Sequence, residues 1–100
     1  MIRHIVMWTI KEADGRSKQQ NIDLLKSKLL GLKNFIPQIK HIEVGTNSAL
    51  ASADNYDITL VSDFATFPDL DIYQKHPEHL KVVELVKQIR VSRACIDFEY

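Results

Sequence analysis

Apolar residues recur along this chain with two periods, one near two and one near three and a half. Ile2 to Ile10 is a run of β-branched and aromatic residues without proline, which predicts a strand. Ile2, Val6, Trp8 and Ile10 share one face with His4. Ile5 and Met7 lie on the other with Arg3 and Thr9, so both faces carry apolar side chains. Asp14-Gly15 predicts a turn. Ser17 is a suitable N-cap for a helix to about Asn34, in which Ile22, Leu25, Leu29 and Leu32 keep helical spacing and Leu24 and Leu30 widen the stripe. Pro37 closes that segment. Ile39 to Val44 predicts a second strand, and Gly45 to Asn55 a polar loop of small residues. Tyr56 to Phe64 predicts a third strand, with Tyr56, Ile58, Leu60, Ser62 and Phe64 on one face. Thr66-Phe67-Pro68 starts a short helix to about Lys75. A second helix is predicted from Pro77 to about Arg90, with Leu80, Val83, Val86 and Ile89 in register and Val82 and Leu85 beside them. Val91 to Phe98 predicts the last strand.

The order β-α-β-β-α-β is the split βαβ arrangement of a ferredoxin-like α+β fold, in one domain over residues 1–100. Helices segregate to one face of such a sheet. The other face would carry Ile5, Met7, Val61, Ala94, Ile96 and Phe98, and an apolar sheet face without helices needs cover. A second sheet from an identical chain is the simplest cover, so a two-fold homodimer through this face is predicted.

Composition narrows the classes of function. Lys+Arg and Asp+Glu are both 13, so the net charge is zero, against the positive excess a nucleic-acid or anionic-membrane binder needs. Met1 runs into an apolar strand without a cationic lead, so no secretory leader is expected. One cysteine, Cys95, excludes an internal disulfide and suits a reducing compartment, which makes a cytoplasmic location the expectation.

The candidate chemistry gathers around Tyr73 and His76-Pro77-Glu78-His79. Proline fits the first position of a helix, which makes His76 the cap and puts His79 in the first turn, where the helix dipole disfavours imidazolium. A neutral imidazole near a tyrosine hydroxyl is a plausible acid/base pair. The alternative is a helix start with a tyrosine that only packs. His4, on the face of Val6 and Trp8, would be half-buried and need a partner. Asp97 shares a strand face with Arg93 and Cys95, and its two readings are a partner of His79 or a solvated strand-end carboxylate. His76-x-x-His79 is half a metal-ligand set without a companion motif, so no metal site is predicted. A catalytic thiol at Cys95 is not expected either.

Several segments together carry a family resemblance. Ile2-Arg3-His4-Ile5-Val6-Met7-Trp8, Phe35-Ile36-Pro37-Gln38-Ile39, Val44-Gly45 with Asn47, Tyr56-Asp57, Tyr73-Gln74-Lys75-His76-Pro77-Glu78-His79 and Ile96-Asp97-Phe98-Glu99 resemble the stress-responsive A/B barrel (Dabb) domain over essentially the whole chain. The resemblance implies a ferredoxin-like chain that pairs sheets into a dimeric α+β barrel. A plant cyclase of the family closes a linear polyketide by aldol condensation without a cofactor. By motif, Tyr73, His79, Asp97 and His4 occupy the places of its tyrosine–histidine pair, the aspartate orienting that histidine, and its first-strand histidine. The resemblance also implies a pocket between sheet and helices lined by Val6, Trp8, Ile58, Leu60 and Ser62. This chain departs from the cyclase at Leu29, where the cyclase has a tyrosine, at Ile58, where it has a histidine, and at Trp8, which is bulkier. The expectation is thus a small-molecule pocket with cofactor-free acid/base chemistry of cyclase or lyase type. A structural, stress-associated dimer without turnover is the alternative.

Overall fold

The computed structural model describes residues 1–100. Four strands, β1 (Ile2–Ile10), β2 (His41–Thr46), β3 (Ile58–Phe64) and β4 (Arg90–Glu99), form one antiparallel sheet in the order β2-β3-β1-β4. Helices α1 (Lys18–Gly31), α2 (Phe67–Lys75) and α3 (Pro77–Ile89) accompany it, with a 3-10 turn at Leu32–Asn34 after α1. This is the ferredoxin-like α+β fold.

Local chemistry accounts for the ends of the elements. Asp14 and Gly15 both take positive φ, and Ala13 and Arg16 exchange backbone hydrogen bonds around them, as a tight Asp-Gly hairpin turn requires. Ser17 caps α1 in a capping box. Its hydroxyl accepts from the Gln20 amide at 3.1 Å, and the Gln20 side chain accepts from the Ser17 amide at 2.9 Å. Helix α1 ends at Gly31, three residues earlier than expected, and the 3-10 turn carries the chain on. The third strand starts at Ile58 rather than Tyr56, because Asp57 turns inward, accepting from the Ile10 amide at 2.7 Å and pairing with Lys18 at 3.1 Å. Tyr56 is consequently exposed and is not on the core face.

Burial alternates strictly along β1: Ile2, His4, Val6, Trp8 and Ile10 are buried, and the residues between them are half-buried. The buried set faces the helices. Leu25, Leu29 and Ile22 of α1 meet it, together with Val82, Val86 and Ile89 of α3. Two expected core positions are exposed instead, Leu30 and Leu80. In α3 the buried line runs through Val82, Val86 and Ile89, and Leu80 sits about 200° round the helix from Val82. On the opposite face of the sheet no helix packs. Ile5, Met7, Val61 and Ala94 are half-buried there, and Ile96 and Phe98 are 59% and 39% exposed.

Candidate functional site

The site is built where β1, α2, α3 and β4 meet. A single residue, His76, joins α2 to α3. It precedes Pro77, which forces its backbone into the extended region (ψ 136°), and this breaks one helix and starts the next. Its Nδ1 accepts from the Glu78 amide at 3.1 Å, the capping role expected of it. One turn on, the half-buried His79 faces back toward α2. Its Nδ1 lies 3.0 Å from the backbone carbonyl of Gln74, one of the carbonyls a helix C-terminus leaves unpaired. A carbonyl only accepts, so Nδ1 of His79 carries a proton, and Nε2 is left as a lone pair whenever the ring is neutral. Burial lowers the His79 pKa below its usual 6.5, partly opposed by the bond to Gln74.

Tyr73, in the last turn of α2, is fully buried, and its ring centroid is 4.4 Å from that of His79 and 6.1 Å from that of His4. Its hydroxyl has no hydrogen-bond partner. Burial pushes its pKa well above the ordinary tyrosine value, so it stays a protonated donor. Trp8 presents a second buried donor without a partner, the indole Nε1.

Asp97 is not where the relay to His79 placed it. It lies opposite His4 across the β1–β4 ladder and accepts from Nδ1 of that histidine. The reason is register: antiparallel pairing puts His4 and Asp97 on the same face at the same level, whereas His79 comes from a helix and is already committed to Gln74. Cys95 Sγ lies 3.8 Å from His4 Nδ1 and 3.9 Å from Asp97 Oδ1. These three ligand atoms fall within 4.8 Å of one another. His4 Nδ1 is already bonded to Asp97, so this proximity is that of a hydrogen-bonded cluster. Burial and the Asp97 charge push the Cys95 thiol up, away from the thiolate a nucleophile needs.

His4, Tyr73 and His79 line one cavity of about 130 Å³, close to the size of an engineered protein cavity that admits benzene. Val6, Trp8, Leu29 and Leu60 line it as well. Ile58 and Ser62 do not. Ile58 is packed into the core further along β3, and the fully buried Ser62 hydroxyl donates to the His4 carbonyl at 3.4 Å. The other walls were not among the residues expected from sequence. Gln74, Val82, Val83 and Val86 come from α2 and α3, and Lys87, Arg90 and Arg93 ring the exposed end. The signal for Arg93 was present in its strand face, shared with Asp97, which register places beside the cavity.

Comparison with known proteins agrees with this architecture. A dimeric ferredoxin-like protein of unknown function from Bacteroides fragilis superposes with a TM-score of 0.84 at 28% identity, covering 99% of this chain and 95% of that one. Another, from Thermobifida fusca, gives 0.82 at 25% identity, with 99% and 90% covered. A hydroxynitrile lyase from Passiflora edulis gives 0.75 at 20% identity, with 97% and 90% covered, and at that identity the likeness concerns the fold. The sequence matches no curated protein. The family model of the Stress Responsive A/B Barrel Domain matches residues 2–100. Fold, motifs and that match coincide over the whole domain, and the chain belongs to the stress-responsive A/B barrel (Dabb) family.

Proposed function

We propose that the cavity binds a small molecule and that Tyr73 and His79 act on it as a cofactor-free acid/base pair, in the manner of a lyase or cyclase. The observation that carries this reading is the Tyr73 hydroxyl, buried without a partner beside a histidine whose Nε2 is free. A buried donor left unpaired costs about 1–3 kcal/mol, a cost that a ligand oxygen would relieve. His79 takes a proton from a carbon next to a carbonyl. Tyr73 donates to the carbonyl oxygen as negative charge develops on it. Asp97 holds His4 in one tautomer at the cavity wall, where its Nε2 can receive or return a proton. The fold does not choose the reaction, since it also carries a protein described as an antibiotic biosynthesis monooxygenase.

The functional unit is a homodimer through the helix-free sheet face. The Ile96 and Phe98 side chains exposed there support this, as does the dimeric state described for the Bacteroides and Thermobifida proteins. The second reading, a structural dimer without turnover, draws on the small volume of the cavity, which Trp8 and Leu29 narrow.

Deuterium exchange separates the two readings. Acetone, butanone and acetophenone in D2O are followed by proton NMR with and without protein. The acid/base reading expects faster exchange of α-hydrogens with the protein, reduced at least tenfold in Tyr73→Phe and to the buffer rate in His79→Gln. Exchange at the buffer rate for all three ketones favours the structural dimer.

A further inference from the structure

The polar groups around the cavity are unbalanced. None of its lining residues is acidic, and three are cationic: Lys87 at the end of α3, and Arg90 and Arg93 on β4. Lys87 pairs with Glu84 at 3.3 Å, but neither arginine is in an ion pair. The chain as a whole has no net charge, so this cluster is local and not a sign of general basicity. Asp97, the nearest strand-face carboxylate, is turned to His4. The buried unpaired groups are again donors, the Tyr73 hydroxyl and the Trp8 indole N–H, both on residues lining the same space. The remaining walls are Val82, Val83, Val86 and Leu60 together with His4 and His79.

We infer that the ligand is a small carboxylate that also carries a carbonyl group, an oxo acid of compact size. The carboxylate sits at Arg90 and Arg93, and the carbonyl oxygen sits at Tyr73. Arginine suits the first contact, since its planar fork matches a carboxylate with two parallel hydrogen bonds. A buried, unpaired hydroxyl donor suits the second, since a carbonyl oxygen only accepts. The cavity volume, about 130 Å³, limits the enclosed part to about the bulk of one benzene ring. The inference deepens the proposed function and rests on it only in taking the carbonyl as the reacting group. The arginine contact stands on the rim alone.

Trp8 is the only tryptophan, so its indole N–H gives one reporter signal inside the cavity. That signal is titrated in a proton–nitrogen correlation spectrum with acetoacetate, acetoacetamide and butyrate, which carry both groups, the ketone with an uncharged amide in place of the carboxylate, and the carboxylate alone. Acetoacetate is expected to shift it saturably and to bind about tenfold tighter than either of the others, the equivalent of one good charged hydrogen bond. The Arg90→Gln/Arg93→Gln double variant should bring acetoacetate down to the affinity of acetoacetamide, and a saturable indole shift with acetoacetamide in the variant shows that the cavity is intact. Arg93→Lys alone should keep most of the preference. Equal binding of acetoacetate and acetoacetamide by the native protein, a preference that survives the double variant, or no indole shift with any probe overturns the inference. The two readings fail separately. Arginine-dependent binding of acetoacetate without faster α-deuterium exchange keeps the ligand class and removes the acid/base pair. Faster exchange in neutral ketones without a carboxylate preference does the reverse.

Discussion

Asp97 accepts a hydrogen bond from Nδ1 of His4, its partner across the β1–β4 ladder. His79 is held instead by the backbone of α2, at the carbonyl of Gln74. The cavity therefore has two separately oriented histidines, one fixed by a carboxylate and one by a helix end. A single Tyr–His–Asp relay through His79 is not how this chain is arranged.

It follows that Asp97→Asn should leave the titration of His79 where it is. In the native protein the His79 midpoint should lie below 6.5, because burial disfavours the imidazolium. NMR titration of the imidazole protons measures both. A His79 midpoint that falls by half a unit or more in Asp97→Asn would restore the direct link.

The same lowered pKa makes a statement about stability. Between the folded and unfolded values of His79 the unfolded chain binds more protons, so stability rises with pH. The contribution of neutral His79 is fully present above about 6.5 and is lost as pH falls from there through the folded value. Urea melts across that window should show the loss in the native protein and its absence in His79→Gln. Parallel curves for the two proteins would assign the pH dependence to other groups.

Tyr73→Phe should separate stability from function. It removes a buried hydroxyl that has no partner while keeping the ring packed against Phe64 and His79. The variant should be as stable as the native protein or more so, by up to about 1–3 kcal/mol, while proton exchange falls. A clear drop in the thermal midpoint would show that the hydroxyl is hydrogen-bonded in solution.

His76 and His79 should contribute to stability in the opposite order to their proposed chemistry. His76→Ala removes the only side-chain cap of α3 and should cost about 0.5–2 kcal/mol. His79→Ala should cost less at pH 7.5. Chemical denaturation gives both values, and the reverse ranking would interchange the structural and functional assignments.

Met7→Lys tests the dimer. Met7 lies opposite Ala94 and Thr59 on the helix-free face, and a lysine there would bury an unpaired charge in the proposed interface. Light scattering at micromolar concentration should give a dimer mass for the native chain and a monomer or unfolded protein for the variant. A native monomer removes the dimer.

What the sequence determined by itself was local. The Ser17 cap, the Asp14-Gly15 turn, the His76 cap before Pro77 and the alternation along β1 depend on neighbours a few residues away, so periodicity and side-chain type reveal them. The element order and fold class followed from the succession of those segments. Leu80 and Leu30 show the limit of that reasoning. A helical stripe of apolar residues is wider than the surface that covers it, and only packing against the sheet chose Val82, Val86 and Ile89. The site depended on tertiary structure still more. Strand register paired Asp97 with His4, and the bond from His79 to Gln74 required the one-residue joint between α2 and α3. The convergence of Arg90 and Arg93 on a cavity floored by Tyr73 required β4 to lie beside β1. These contacts join residues far apart in the chain, and their geometry is set by register and packing, which no local pattern records.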